Sequence, residues 1–322
     1  MNTFFQKALY LVVTVYPDIG RSTRRIICLL SLSLVALSNC YAQSGWFLVS
    51  SPTTYSLNSI YFLNNDTGFI TAHNSVFPSG YIGGILRTLN GGLNWQYTDF
   101  NMGVFCVSFA NSNKGISVGY GRTYSSVFTT SNAGSNWNGT PVNQAQNFVK
   151  FLNFYTGYIT GDLGLISKTT NSGENWFSLS SGTVYNLGEI WFTDSLNGYI
   201  IGITSGPSIS SMILKTTNSG VSWSACLLYD STMFRSLFFI DNYTGFVTGG
   251  GSSGILKGFI LKTTNAGNTW VLKKDSVNKM LESIFMISNN TGYVVGDVPG
   301  YVAGNILLKT SNGGNNWFEQ IS

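Results

Sequence analysis

Histidine occurs once in the 322 residues, at His73. A multi-histidine metal centre is thereby excluded by composition, a histidine-based triad is not expected, and no cofactor is implied. Charge is almost as scarce, with Asp, Glu, Lys and Arg making up 9% of the chain. Beyond position 42 only three arginines remain, Arg87, Arg122 and Arg235, and thirteen basic residues stand against twelve acidic ones. So even a balance offers no basic stripe for a phosphate backbone, and nucleic-acid binding drops out. Cysteine is rare too: of four, only Cys106 and Cys226 lie beyond position 42. They fall at different places in the chain's repeats, so two buried free thiols are a better expectation than a disulfide. Glycine is what the chain has in plenty, 37 residues, together with 15% aromatics. That composition supplies apolar surface for a core and interrupts it often with turns.

The N-terminal region reads as an export leader. Arg21, Arg24 and Arg25 precede an apolar run over 26–37, and Cys40-Tyr41-Ala42 before Gln43 has the form of a small-residue cleavage site. Residues 1–42 are taken as signal peptide and 43–322 as the mature chain, secreted, periplasmic or at the cell surface. Thr23-Arg24-Arg25 also admits a twin-arginine reading, and Leu37-Ser38-Asn39-Cys40 gives a minor alternative, a lipoprotein anchored at Cys40. No membrane span is expected in the mature chain, and a monomer is.

The same eight-residue phrase, Thr-x-Asn-x-Gly-x-x-Trp, is written six times. It runs Thr88–Trp95, Thr130–Trp137, Thr169–Trp176, Thr216–Trp223, Thr263–Trp270 and Thr310–Trp317. The tryptophans are 42, 39, 47, 47 and 47 residues apart, a period that belongs to repeat architectures with one supersecondary unit per copy. A second signal recurs as regularly: a turn glycine at Gly68, Gly115, Gly157, Gly198, Gly245 and Gly292, followed in five cases by Phe or Tyr. Around these turns lie short β-branched and aromatic runs, which read as strands joined by hairpins. With the stretch after each tryptophan there are four strands per unit, the blade of a β-propeller. The expectation is an all-β, six-bladed propeller of four-stranded blades. Because Gly45–Ser50 resembles a post-tryptophan strand and competes with the C-terminal one, a seven-bladed ring with an incomplete blade is the alternative.

Every residue type in the phrase has a structural use. Asn90, Asn132, Asn171, Asn218, Asn265 and Asn312 can bond the backbone ahead of them and hold a tight turn, and the glycine supplies φ > 0. Trp95, Trp137, Trp176, Trp223, Trp270 and Trp317 can pack where blades meet. The phrase resembles the Asp-box, or bacterial neuraminidase (BNR) repeat, with Asn in place of Asp in all six copies. Together with Thr-Gly-Tyr-x-x-Gly-Asp at Thr156–Asp162 and Thr291–Asp297, the unit is similar to propellers of the photosystem II stability/assembly factor type. That resemblance covers about residues 45–322 and implies a protein-binding scaffold. It also implies an arginine-rich binding patch, from which three dispersed arginines depart.

In a propeller the loops between second and third strands, and between blades, gather on one face, and variable loops on a rigid ring are where specificity lives. The candidate binding residues there are His73, Tyr81, Tyr120, Arg122, Tyr124, Asp162, Asp297 and Tyr301, suited to gripping a protein segment or stacking on a glycan. Asp162 and Asp297 occupy equivalent repeat positions, which points to turn stabilisation rather than a catalytic pair. Sialidases carry the same box, but their resemblance would require an arginine triad and an early Arg-Ile-Pro motif. Neither is present, and Arg87 stands where other repeats have Lys168, Lys215, Lys262 and Lys309. No catalytic residue is assigned. The runner-up is a degenerate sialidase-like glycoside hydrolase drawing on Asp162, Asp297 and Glu189.

Overall fold

The computed structural model describes residues 49–76, 80–121, 124–204, 209–251, 257–297 and 305–320. The export leader, Cys40, Gln43, residues 45–48 of the strand expected at Gly45–Ser50, and the candidate residues Arg122 and Tyr301 lie outside the described residues, and Val49 and Ser50 are not in a strand. No helix among the described residues is long and apolar enough to cross a membrane, which says nothing of β-barrels.

Six four-stranded antiparallel sheets follow one another around a ring, a six-bladed β-propeller. Blade 1 comprises β1 (Ser56–Phe62), β2 (Gly68–Val76), β3 (Gly80–Thr88) and β4 (Gln96–Asp99). Blade 2 is β5 (Gly103–Phe109), β6 (Gly115–Tyr120), β7 (Ser125–Thr130) and β8 (Asn138–Val142). Blade 3 is β9 (Gln146–Phe151), β10 (Gly157–Gly161), β11 (Ile166–Thr169) and β12 (Phe177–Leu179). Blade 4 is β13 (Asn186–Phe192), β14 (Gly198–Ile203), β15 (Ser210–Thr216) and β16 (Ser224–Asp230). Blade 5 is β17 (Thr232–Phe239), β18 (Gly245–Gly251), β19 (Gly258–Thr263) and β20 (Val271–Val277). Blade 6 is β21 (Met280–Met286), β22 (Gly292–Asp297), β23 (Ile306–Thr310) and β24 (Phe318–Glu319). The helical content of the described residues is one short 3-10 turn, Asp162–Gly164.

First strands approach first strands along the ring, β1 to β5, β5 to β9, β9 to β13, β13 to β17 and β17 to β21, and so line the central channel. Second strands are apolar on both sides, because each is covered by a neighbouring blade; β18 is buried at six of its seven residues. Fourth strands form the outer wall, and β16 is mostly exposed or half-buried.

The box turns are built from one hydrogen-bond pattern. In blade 4, Thr216 Oγ1 donates to Asn218 Oδ1 (2.9 Å) and accepts from Gly220 N (2.9 Å), while Asn218 Oδ1 accepts from Ser222 N (3.0 Å). The same three bonds recur in blade 1 on Thr88 and Asn90 and in blade 6 on Thr310 and Asn312. Asn serves in place of Asp because these three bonds need only a side-chain oxygen as acceptor, and in blade 4 its Nδ2 adds a bond to Ser222 Oγ (2.9 Å). The residue before the box glycine is left-handed even when it is not glycine, as at Ser219 (φ 58°) and Ala266 (φ 57°). Its N–H is held by the first hairpin turn of the same blade, Ser219 N to Leu196 O and Ala266 N to Tyr243 O, both 2.9 Å, which places both turns on one face.

In blades 1, 3, 4 and 5 the fully buried side chain is the one after the turn glycine, not the tryptophan. Phe69, Tyr158, Tyr199 and Phe246 are fully buried, whereas Trp95, Trp137, Trp176, Trp223 and Trp270 are only half-buried; Trp317 alone is buried. Tyr158 Oη donates to Ser219 O and Tyr199 Oη to Ala266 O, each at 2.8 Å, in the next blade's box. Lys168, Lys215 and Lys262 donate to the equivalent carbonyls Ser219 O, Ala266 O and Gly313 O. The indoles miss full burial because they pack edge-on against an aromatic at the junction's rim, as Trp223 does against Phe192. Tyr293, the sixth member of the buried series, is half-buried, with Lys309 Nζ 5.8 Å above its ring. Cys106 and Cys226 are free thiols, the first buried and the second half-buried.

Candidate functional site at the channel mouth

Each innermost strand carries an irregularity at one repeat position. The pairing of first with second strand slips at Asn58, Phe105, Asn147, Gly188, Arg235 and Glu282. All six stand ten residues before their blade's turn glycine. A bulge bends the strand and re-aims its extra side chain, and here it does so at the end of the strand away from the box turns. Five residues after the same glycine, where the second strand reaches the same face, come His73, Tyr120, Asp162, Ile203, Gly250 and Asp297. Two rings of six positions thus meet at the loop-face mouth of the channel, and their composition varies from blade to blade.

In blades 1 and 3 the bulge is an asparagine that latches sideways. Asn58 Nδ2 donates to His73 Nδ1 (2.5 Å) and to Val104 O of the next blade (3.2 Å). Asn147 Nδ2 donates to Asp162 Oδ1 (2.9 Å) and to Leu187 O of the next blade (3.1 Å). Since the amide nitrogen can only donate, His73 Nδ1 accepts and its proton sits on Nε2. Burial pulls the His73 pKa below its ordinary 6.5, which keeps the ring neutral.

Three aromatic rings join that histidine in one cluster. His73 lies 5.4 Å from Tyr81 and 4.9 Å from Phe105; Tyr81 meets Tyr120 edge-on at 5.2 Å; and Phe105 stacks on Tyr120 at 4.3 Å. Gly103 leaves the room for them, since a Cβ there would come within 2.6 Å of Tyr81 Cβ. Burial, with smaller contributions from Tyr81 and Asp162, pushes the Tyr120 phenol well above its usual range, so it remains a neutral donor. Asp162 lies near enough, across the junction of blades 2 and 3, for its charge to act on Tyr120. Beyond Asp162, Gly188 is the bulge residue of blade 4. Where it has no side chain a cavity of about 320 Å³ opens, lined by Asn147, Asn186, Gly188, Ile201, Ile203 and Thr204.

The candidate residues are therefore placed unequally. His73, Tyr81 and Tyr120 converge, with Asp162 next to them. His73 and Tyr81 lie on strands β2 and β3 rather than in a loop, because that hairpin stays paired out to Val76 and Gly80. Tyr124 is 53% exposed and outside the ring cluster. Asp297 stands on blade 6, three blades from Asp162. Neither oxygen of its carboxylate has a hydrogen-bond partner among the described residues, and the loop that follows it, 298–304, lies outside them. Glu189 accepts from Leu237 N (2.8 Å) across blades 4 and 5; burial pushes its carboxyl up, with Leu237 N and Lys150 opposing. The bulge residues Asn58, Phe105, Asn147, Arg235 and Glu282 were missed by a search of loops, although their fixed ten-residue distance from the turn glycine marks them.

No protein-family model and no curated protein matches the sequence. Solved structures do resemble it. YCF48 from Cyanidioschyzon merolae is 18% identical with a TM-score of 0.61, over 84% of this chain and 87% of that one. The chain shares the propeller fold. A GH74 xyloglucanase from Xanthomonas campestris is 11% identical with a TM-score of 0.60, over 82% of this chain and 45% of that one. The SapL1 lectin in complex with alpha methyl fucoside is 9% identical with a TM-score of 0.51, over 82% and 94%. Enzymes and binding proteins thus stand side by side among the neighbours, and the likeness extends to fold alone.

Proposed function

We propose that this chain is a non-catalytic binding propeller, exported from the cytoplasm, that takes an extended segment of a partner protein across its channel mouth. The observation that carries the reading is the succession, on neighbouring blades, of the His73–Tyr81–Phe105–Tyr120 cluster, the Asn147–Asp162 pair and the cavity that Asn147 and Gly188 line. Aromatic faces for side chains, amides and a carboxylate for backbone groups, and one recess for an anchor side chain are what an unfolded polypeptide needs. The three carboxylates considered for hydrolysis belong to separate arrangements: Asp162 with Asn147, Glu189 with Leu237 and Lys150, Asp297 beside Glu282. Export is supported by the arginines and apolar run ahead of Gln43.

Exposed Tyr124 beside the cluster favours a second reading, a glycan stacked on its ring. A random-peptide display selection and a glycan array, run on the same purified protein and on Tyr120→Ala, separate the two. Selected peptides whose binding falls about tenfold or more with Tyr120→Ala support the polypeptide reading. A glycan hit with an empty peptide selection replaces it, and turnover of that glycan would replace the non-catalytic reading too.

A further inference from the structure

The mouth is least satisfied on blade 6. In blades 1 and 3 the bulge residue is a donor and the second-strand residue beside it an acceptor, Asn58 with His73 and Asn147 with Asp162. In blade 6 both positions are carboxylates, Glu282 and Asp297, and neither can donate to the other when ionised. Asp297 is 4% exposed, and both its oxygens are without a hydrogen-bond partner among the described residues. Glu282, whose side chain is 24% exposed, takes a single cation, Arg235 Nε of blade 5, at 3.5 Å. Two ionised carboxylates against one guanidinium would leave one negative charge without a donor among the described residues. Burying such a group is costly, and a fold keeps it only where something else supplies the missing donors.

We propose that Glu282 and Asp297 form a receptor for one positively charged side chain, a lysine ammonium or arginine guanidinium, of the polypeptide bound at the mouth. The inference rests on the polypeptide reading above and names a feature of its ligand. A side-chain cation fits better than a metal ion. The described residues hold no cluster of three or more metal-ligating side chains, and the Arg235 guanidinium against Glu282 repels a dication. It also fits better than a shared proton, because Asp297 makes no hydrogen bond with Glu282. A single added positive charge balances the group, and its N–H donors suit the paired oxygens of a carboxylate in fork geometry. Burial and Asp297 push the Glu282 carboxyl up while Arg235 pulls it down, so its ionisation responds to whatever cation arrives.

The test is a random-peptide display selection on the wild-type protein and on Asp297→Asn and Glu282→Gln, with synthetic peptides then titrated in solution. The expected result is a lysine or arginine at one fixed position of the selected peptides. Its replacement by norleucine or citrulline weakens wild-type binding about tenfold or more, and leaves binding to Asp297→Asn unchanged. Asp297→Asn is expected to melt at the same or a higher temperature than wild type, because it removes an unpartnered charge. Selected peptides lacking a cationic position overturn this inference while leaving the polypeptide reading in place. A melting temperature lowered by both Asp297→Asn and Glu282→Gln with peptide preference unchanged overturns it in favour of a structural role. Calcium that stabilises the wild type but not Asp297→Asn overturns it in favour of a metal site. An empty selection beside a glycan hit overturns the polypeptide reading and this inference together.

Discussion

The two faces of the ring obey opposite rules. On the box face the same Thr-Asn-Gly hydrogen bonds recur from blade to blade with lengths that barely change. At the channel mouth the corresponding positions hold an amide, a phenyl ring, an amide, no side chain, a guanidinium and a carboxylate. Uniformity marks where the residue serves the fold, and divergence at a fixed register marks where the fold is indifferent and recognition can be written. The bulge makes this division possible, since it turns one side chain per blade out of the sheet without changing how the remaining strand pairs.

Breaking the uniform side should cost the most stability and leave recognition alone. Tyr199→Ala, which empties a fully buried junction and deletes the bond to Ala266 O, should lower unfolding free energy by about 3–5 kcal/mol in a denaturant titration. Trp223→Ala should cost about 2 kcal/mol, because that ring is only half-buried; a loss as large as that of Tyr199→Ala would put the indole back at the centre of the junction. Thr216→Val should cost about 1–2 kcal/mol, since Gly220 N loses its acceptor where no water enters. Tyr124→Ala should stay within about 0.5 kcal/mol of wild type while weakening ligand binding; unchanged binding would confine the site to the inner rings.

Acidity sharpens the comparison through two groups of opposite sign. Glu189 holds its proton in the folded state above the ordinary glutamate value of 4.5, so its contribution to stability falls as pH rises past that value. Glu189→Gln should abolish that slope in melting temperatures recorded upward from pH 4.5. His73 resists protonation in the folded state, so its contribution is complete above its ordinary 6.5 and is lost as pH falls toward its lowered folded value. His73→Gln, neutral throughout, should lose that dependence; a profile identical to wild type would mean the ring is not held neutral by burial.

How much of this was legible in the chain follows from where the signals sit. Six boxes at a repeat period and six turn glycines point to six blades and to the strand order within each, because turn chemistry is local, while the seventh-blade alternative needed the structure to decide it. That the tryptophans pack where blades meet was legible, but their depth was not: the indole of blade 4 lies edge-on to Phe192 and half-buried, while the tyrosine or phenylalanine after the turn glycine is fully buried in blades 1, 3, 4 and 5. The mouth was half legible. His73, Tyr81, Tyr120 and Asp162 are polar or aromatic residues near glycine-rich turns and were found as such. Phe105, Asn147 and Glu282 were not, because a bulge inside a strand leaves no trace in composition, only a constant distance from a glycine.

Among the described residues every strand pairs only with strands next to it in the chain, and each of blades 1 to 5 touches the one that follows. Order can consequently begin at any hairpin and spread outward by accretion, as in a linear array, with little loop entropy spent on distant partners. Such a chain tolerates the exchange of one blade for another, so its mouth can be rewritten one sector at a time.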